Sequence, residues 1–257
     1  MFRIATWTVN SLRVRLPAVL DWLARHQPDA LALQETKLTD EEFPVDAIRE
    51  AGYHACFSGQ KTYNGVAVLS RTPAQEVVSG LPDYPDPQRR LLAVTVGDYR
   101  LIDVYIPNGS EVGSDKYRYK LEWLEYLIGF IGAERTRYPK LVLLGDFNIA
   151  PEDRDVYDPS AWQDGLLCSP PERAAFCRLL EGGLVDAFRL FDQPEKSYSW
   201  WDYRLQAFRR KMGLRIDHIL IDEDLAKACA RCYIDIEPRK QERPSDHAPV
   251  VIEFDIP

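Results

Sequence analysis

The sequence predicts an α+β protein built as two packed mixed sheets flanked by helices. Three observations carry that expectation. Short apolar, β-compatible runs recur along the chain and stop at Gly, Pro, Asp or Asn. Stretches of helical period lie between them. The same strand-and-helix scheme occurs once in each half, without a residue-level repeat.

Residues 2–9 read as a first strand, and residues 15–26 as an amphipathic helix with Leu16, Val19, Leu20 and Leu23 on one face. Strands are expected near 30–34, 53–58, 65–70, 91–96 and 101–106. A helix over 115–132 follows, with Leu121, Leu124, Tyr126 and Leu127 among its apolar positions. The second half continues with a strand at 141–145, a helix at 171–181, and strands near 198–201, 215–221, 232–237 and 249–254. Within it, 225–232 reads as a short helix running into a strand. The connection 150–170 is long and polar and carries Pro151, Pro159 and Pro170. Connections of that length are often functional, so it is expected to be a binding loop at the rim.

A chain of 257 residues with 46% hydrophobic content can bury one large core, and a single domain over 1–257 is expected. No apolar run approaches the ~18 residues of a membrane span, and the start lacks an apolar leader core. The five cysteines are odd in number and scattered. Cys229 and Cys232 form a single CxxC with no second pair to complete a zinc site. Buried, reduced thiols and a cytoplasmic location are expected, with no membrane partner. The balance of 32 basic against 40 acidic residues argues mildly against nucleic acid. Local field matters more than net charge, however. Arg204, Arg209, Arg210, Lys211 and Arg215 fall within twelve residues, interleaved with aromatic Trp200, Trp201, Tyr203 and Phe208. That mixture suits a phosphate backbone beside an unstacked nucleotide; a solvated basic loop next to a core tryptophan is the plainer reading.

The chemistry is concentrated at strand ends. Leu141–Leu144 runs into Gly145, Asp146, Phe147 and Asn148; Ala30–Gln34 runs into Glu35; Asp217 and His218 open another run; Asp246 and His247 precede a fourth. Asp and Asn are ordinary turn residues. Four carboxylates placed the same way make a stronger case. Gathered on one rim they repel one another, and a hard divalent cation relieves that. A metal beside a carboxylate base and a histidine is the equipment of metal-assisted phosphoester hydrolysis.

These residues resemble the exonuclease III family of abasic-site endonucleases, within the DNase I-like phosphodiesterases. The matching pieces include Leu33–Lys37, Gly59–Lys61, Tyr63–Ala67, Gln88–Arg90, Tyr105–Asn108, Gly145–Ile149, Ser199–Arg204, Gly213–Asp217 and Ser245–Pro249, in order and along nearly the whole chain. The resemblance implies a four-layer α/β/β/α sandwich and a Mg²⁺-dependent nuclease, with Mn²⁺ equally suited to oxygen ligands. The implied substrate is double-stranded DNA with abasic sites, nicks or 3′ ends, cleaved 5′ to the lesion or trimmed from the 3′ end by a monomer. Implied roles are metal binding for Glu35, with Asp246 acting through a water. Asp146 would be the base, and Asn148 would orient it or hold a phosphate oxygen. Asp217 would fix a charged His247 against the phosphate. Tyr105 would be a phosphate donor or, ionised, an assistant, and Asn108 a phosphate contact. Tyr105 also fits as a half-buried strand residue. Trp200, Leu214 and Ile216 match positions lining a pocket for an extruded abasic sugar, or are simply core. Arg204 belongs to the DNA-facing basic stretch, and His218 reads as structural because it alternates to the other strand face. His26 and His54 carry no partner signal and read as surface.

The pattern calls for Asn where Thr8 stands. Thr offers one hydroxyl proton where an amide offers two. The expectation is weaker metal binding or turnover slower by about ten- to a hundredfold, for roughly 1.4–2.7 kcal/mol of lost stabilisation. A related phosphodiesterase acting on a non-DNA substrate, an exonuclease-specialised relative, and a non-catalytic DNA-end binder are the competing readings.

Overall fold

The computed structural model describes residues 1–255. In chain order the elements are β1 (Phe2–Thr8), α1 (Leu12–His26), β2 (Ala30–Gln34), α2 (Val45–Glu50), β3 (His54–Ser58), β4 (Val66–Ser70), β5 (Gln75–Ser79), β6 (Leu91–Val96), β7 (Tyr99–Tyr105), α3 (Asp115–Arg137) and β8 (Leu141–Asp146). There follow α4 (Pro159–Trp162), α5 (Pro170–Glu181), β9 (Leu184–Asp186), β10 (Trp200–Trp201), β11 (Gly213–Leu214), β12 (Asp217–Asp222), α6 (Glu223–Ala226), β13 (Cys229–Ile234) and β14 (Val250–Phe254).

Two six-stranded sheets result, in the orders β13-β14-β1-β2-β4-β3 and β5-β6-β7-β8-β12-β9. Both are mixed: β1 runs parallel to β2 and β7 parallel to β8, and the remaining pairings are antiparallel. The layering follows from strand alternation. Ile4, Ala30, Ala32, Val66 and Val68 of one sheet meet Val94, Leu101, Val142, Leu144 and Ile219 of the other between the sheets. The alternate residues Ile102, Leu141 and Leu143 face outward to Trp123, Leu127 and Phe176 of α3 and α5. On the other side Ala5, Trp7, Leu31 and Leu33 pack against Val19, Trp22 and Leu23 of α1. The four layers are helix, sheet, sheet, helix, as the resemblance implies.

Helix boundaries have local causes. Ser114 caps α3 by accepting the Tyr117 N–H, and Arg135 and Arg137 in its last turn complement the dipole. Ser169 and Glu172 form a capping box at α5, with Pro170 in the first turn. The expected helix over 115–132 is longer by five residues, and the one over 15–26 begins at Leu12. Strands β5 and β9 and helix α2 were not expected. β5 is mostly exposed at a sheet edge and lacks an apolar face, β9 is three residues long, and α2 is a six-residue helix with one buried side chain. Among the described residues no helix is long and apolar enough to cross a membrane. The five cysteines are free thiols, but Cys177 is exposed, against the expectation of burial.

Candidate active site

Strand register assembles the site. Asp146, the last residue of β8, lies opposite Asp217 on β12 and opposite Tyr105 on β7. On the facing sheet Thr8 of β1 pairs with Gln34 of β2, one residue before Glu35. An isolated bridge joins Trp200 to His247. Tyr105, Asp146, Asp217, Glu35 and His247 therefore converge at one end of the inter-sheet space. The backbone is held in unusual conformations there. Glu35, Lys37, Asn10 and Asn148 have φ of 53°, 55°, 47° and 50°. Left-handed non-glycine residues are uncommon and cluster at functional sites. Gly145 has φ 140°, and a Cβ there would lie 2.0 Å from the Val104 carbonyl oxygen, so no side chain fits before Asp146.

Asp146 accepts the Asn148 backbone N–H at 2.9 Å and the Asn148 amide at 3.2 Å. The same amide donates to the Ile106 carbonyl at 2.9 Å, and Asn108 donates to Asn148 Oδ1 at 3.1 Å. Asp217 receives His247 Nδ1 at 2.8 and 3.1 Å, while His247 Nε2 points toward Asp146 at 3.9 Å. Burial alone would depress the His247 pKa, but Asp217 chiefly, then Asp246 and Asp146, raise it to about 10. Burial pushes the Asp146 carboxyl well above its usual range, against the pull of His247. Burial also pushes the Tyr105 phenol well up, with Glu35 and Asp146 adding to the shift, so Tyr105 stays a neutral donor and the ionised alternative is disfavoured.

Glu35, Asp146 and His247 each bring a ligand-type atom within 4.8 Å of the others. A protonated imidazole has no free lone pair for a cation. Held charged by Asp217, His247 would be a donor rather than a ligand, and the carboxylate oxygens of Glu35 and Asp146 are of the kind that fits a hard ion. Asp246 is already engaged: Asn10 donates to Oδ1 at 2.9 Å and Trp200 Nε1 to Oδ2 at 3.1 Å. Lys37 reaches both Glu35 at 2.9 Å and Asn10 Oδ1 at 2.6 Å.

Thr8 is fully buried, with Oγ1 3.1 Å from Gln34 Oε1 and 3.2 Å from Asp217 Oδ1. Both neighbours are acceptors, and one hydroxyl proton cannot satisfy both fully. An amide would bring two.

The remaining sequence-selected residues sit at the flank of this cluster. Trp200, Leu214 and Ile216 do gather in one corner, but Leu214 and Ile216 are 0% and 2% exposed, packed with Ala150, Val156, Leu167 and Cys168. Arg204 is exposed beside Asp202. Arg209, Arg210 and Lys211 are also exposed. Arg215 is not part of that basic surface: it is buried against Asp155 at 2.7 Å and Asp186 at 2.9 Å, and contacts His218 Nδ1 at 3.0 Å. His218 is structural, as expected, with its pKa lowered to about 3 by burial and then by Arg215. His54 is exposed, whereas His26 is half-buried, stacked on Trp22 and 3.4 Å from Asp235. The 150–170 loop, expected as a binding loop at the rim, carries a short 3-10 turn around Asp155 and the helix α4.

Sequence reasoning missed several supports. Lys120, wholly buried in α3 and paired with Glu172, donates to the carbonyls of Asn148 at 2.7 Å and Asn108 at 3.2 Å. Ser199 accepts the backbone N–H groups of Ile216 and Asp217. A lysine inside a helix and a serine before two tryptophans carry no distinguishing signal in one sequence. Lys37 lies within a matched segment and Asn10 two residues after Thr8, but neither drew a role, because their geometry depends on left-handed turns.

Comparison with known proteins agrees with this geometry. Residues 5–247 match the endonuclease/exonuclease/phosphatase family. Exodeoxyribonuclease III of Haemophilus influenzae is 34% identical, covering 98% of this chain and 99% of its own. The 3′ phosphatase NExo from Neisseria, solved with a product DNA hairpin, superposes with a TM-score of 0.98 at 50% identity, over 100% of both chains. An AP endonuclease from Archaeoglobus fulgidus superposes at 0.96 with 40% identity, again over 100% of both. Metal dependence is general in this family. The chain belongs to the endonuclease/exonuclease/phosphatase family, as a hydrolytic DNA repair nuclease of the exonuclease III type.

Proposed function

We propose that this protein clears 3′ ends of duplex DNA, removing 3′-phosphates and terminal nucleotides with Mg²⁺, and incises internal abasic sites poorly. One observation carries the choice. The corner that would receive an extruded sugar offers little open wall: Leu214 and Ile216 are buried, packed in one cluster with Leu167 and Cys168. A flipped abasic nucleotide needs a pocket to enter. An end needs only a groove, and one runs beside this corner, lined by Tyr157, Trp162, Trp200, Arg204, Leu205 and Met212. Aromatic and basic side chains of that kind suit a frayed terminus. The 3′ phosphatase from Neisseria, at 50% identity, supports the same reading.

Phosphate release, nucleotide removal and abasic incision all break a bond between phosphorus and a sugar 3′-oxygen. Asp146, raised by burial, takes a proton from the attacking water while Asn148 fixes its carboxylate. The water oxygen bonds to phosphorus as the 3′-oxygen leaves, giving a 3′-hydroxyl. His247, held charged by Asp217, donates to a phosphate oxygen as charge builds there. Tyr105 is a second, neutral donor, and Asn108 a contact on the exposed side. Glu35 would hold the metal, with Asp246 reaching it only through water because both its oxygens are engaged. Bound there, Mg²⁺ would neutralise phosphate and leaving-group charge. Residues from 8 to 247 meet in one site, which favours a single catalytic domain acting as a monomer. Five free thiols suit a cytosolic setting.

The test uses two end-labelled duplexes, one nicked with a 3′-phosphate and one with an internal tetrahydrofuran abasic analogue. Each is titrated with Mg²⁺, with Mn²⁺, and against an EDTA control. Release of phosphate with the analogue left intact is expected. Incision 5′ to the analogue at a comparable rate would overturn the reading.

A further inference from the structure

Asp103 stands apart from the other deeply buried carboxylates. Among the described residues, Asp155, Glu172, Asp146 and Asp217 each face Arg, Lys or His. Asp103 is 0% exposed, has no cationic partner, and leaves Oδ2 without a hydrogen bond. It lies on β7 two residues before Tyr105, on the face turned between the sheets with Leu101. A carboxyl so placed is costly, and nothing in the packing of that layer calls for it.

Its one side-chain partner explains its position. Gln34 Nε2 donates to Asp103 Oδ1 at 2.6 Å and to Thr6 Oγ1 at 2.8 Å. Both amide protons are thereby committed, which leaves the amide oxygen facing Thr8. Thr8 Oγ1 lies between that oxygen and Asp217 Oδ1, and Asp217 grips His247. Asp103, Gln34, Thr8, Asp217 and His247 form one buried chain of contacts from between the sheets to the His247 imidazole.

We propose that Asp103 and Gln34 are positioning residues for the hydrolysis: Asp103 sets the direction of the Gln34 amide, and through Thr8 that direction fixes the Asp217 carboxylate behind His247. With Asp103 removed, the amide is free to turn and present its protons to Thr8. The Thr8 hydroxyl then loses its acceptor at Gln34 and is no longer held in place beside Asp217, and the hold of Asp217 on His247 loosens. Burial pushes the Asp103 carboxyl well above its usual range, so a neutral asparagine is its conservative replacement. The inference rests on assigning Asp217 and His247 to the reaction.

The experiment measures kcat and KM for 3′-phosphate release at saturating Mg²⁺ in wild type, Asp103→Val, Asp103→Asn, Thr8→Val, the Thr8→Val/Asp103→Val double variant, and Asp217→Asn. Asp103→Val should lose about tenfold in kcat, as supporting partners of active-site groups typically do, with KM unchanged. Asp103→Asn should recover to within about threefold of wild type, because its Oδ1 still accepts from Gln34. In the Thr8→Val background the chain is already cut, so adding Asp103→Val should cost nothing more. Should Asp103→Val not fold, Gln34→Met severs the same chain one link nearer and must meet the same kcat and additivity criteria. A crippled Asp217→Asn with a fully active Asp103→Val, or losses that multiply in the double variant, would overturn this inference alone. An active Asp217→Asn would instead remove the site assignment beneath it.

Discussion

Asp217 and His218 are adjacent in β12, yet they serve opposite faces of the sheet. On the inner face Asp217 holds His247 charged, with a pKa raised to about 10. On the outer face His218 is held neutral at about 3 by burial and Arg215, and bonds the Ile149 carbonyl at 2.8 Å. The difference lies in the partner. A carboxylate beside a buried imidazole stabilises its charge, and a guanidinium forbids it. One side of the strand faces the cluster to which we assign the chemistry. The other anchors the loop after β8 through the buried Arg215, Asp155, Asp186 and His218.

The largest break in that comparison is on the inner face. Asp217→Asn should lower kcat by about a thousandfold, the upper range for losing one donor to developing charge, because His247 loses the carboxylate that holds it charged, and leave thermal unfolding little changed. Steady-state release of 3′-phosphate and a melting curve check both halves. On the outer face Arg215→Met leaves Asp155 and Asp186 without their shared buried cation. Unfolding stability should fall by about 3–5 kcal/mol while kcat per folded molecule stays near wild type. Urea titration with activity scaled to the folded fraction decides it, and a primary loss of kcat would erase the division of labour.

Thr8 sharpens the inner face further. Thr8→Asn supplies two amide protons to the two acceptors at Gln34 and Asp217. Turnover or Mg²⁺ affinity should improve by about ten- to a hundredfold, roughly 1.4–2.7 kcal/mol. An unchanged Mg²⁺ dependence and rate would mean that the single hydroxyl already suffices.

Change of pH separates the two histidines. His218 is depressed in the folded state, so the unfolded chain binds a proton below about 6.5 that the folded chain refuses until about 3. Stability is therefore fully present above pH 6.5 and falls toward pH 3, by at most about 1.4 kcal/mol per pH unit from this group. His247 is raised, so its contribution is present below pH 6.5 and lost as pH rises through about 10, where turnover should also decline. Stability–pH curves for wild type and His218→Gln should diverge only on the acid side.

Much of this was legible in the sequence for a physical reason. Apolar runs that end in Glu35 and Asp146, or begin at Asp217 and just after His247, carry both the strand and the site, because the end of a strand is where a rigid sheet can fix a polar group. What stayed hidden depends on contacts distant in the chain. Arg215 read as part of a basic surface because a charged residue next to Arg209–Lys211 gives no hint that Asp155, sixty residues earlier, will bury it. Leu214 and Ile216 are equally compatible in the sequence with a pocket wall and with core; their burial in one cluster with Leu167 and Cys168 depends on residues about fifty positions away. Asp103 drew no notice in the sequence, because its hydrogen-bond partner Gln34 lies on the other sheet. Edge strand β5 and the three-residue β9 lack the periodic burial from which strands are recognised.

One measurement bears most directly on the chemistry assigned to the inner face of β12. Single-turnover release of phosphate from a nicked duplex with a 3′-phosphate is followed for wild type and Asp217→Asn, with Mg²⁺ and with EDTA. Wild type should turn over only with the metal, and Asp217→Asn should be slower by about a thousandfold with its fold intact. A folded Asp217→Asn within about tenfold of wild type would contradict the assignment of Asp217 and His247 to the reaction.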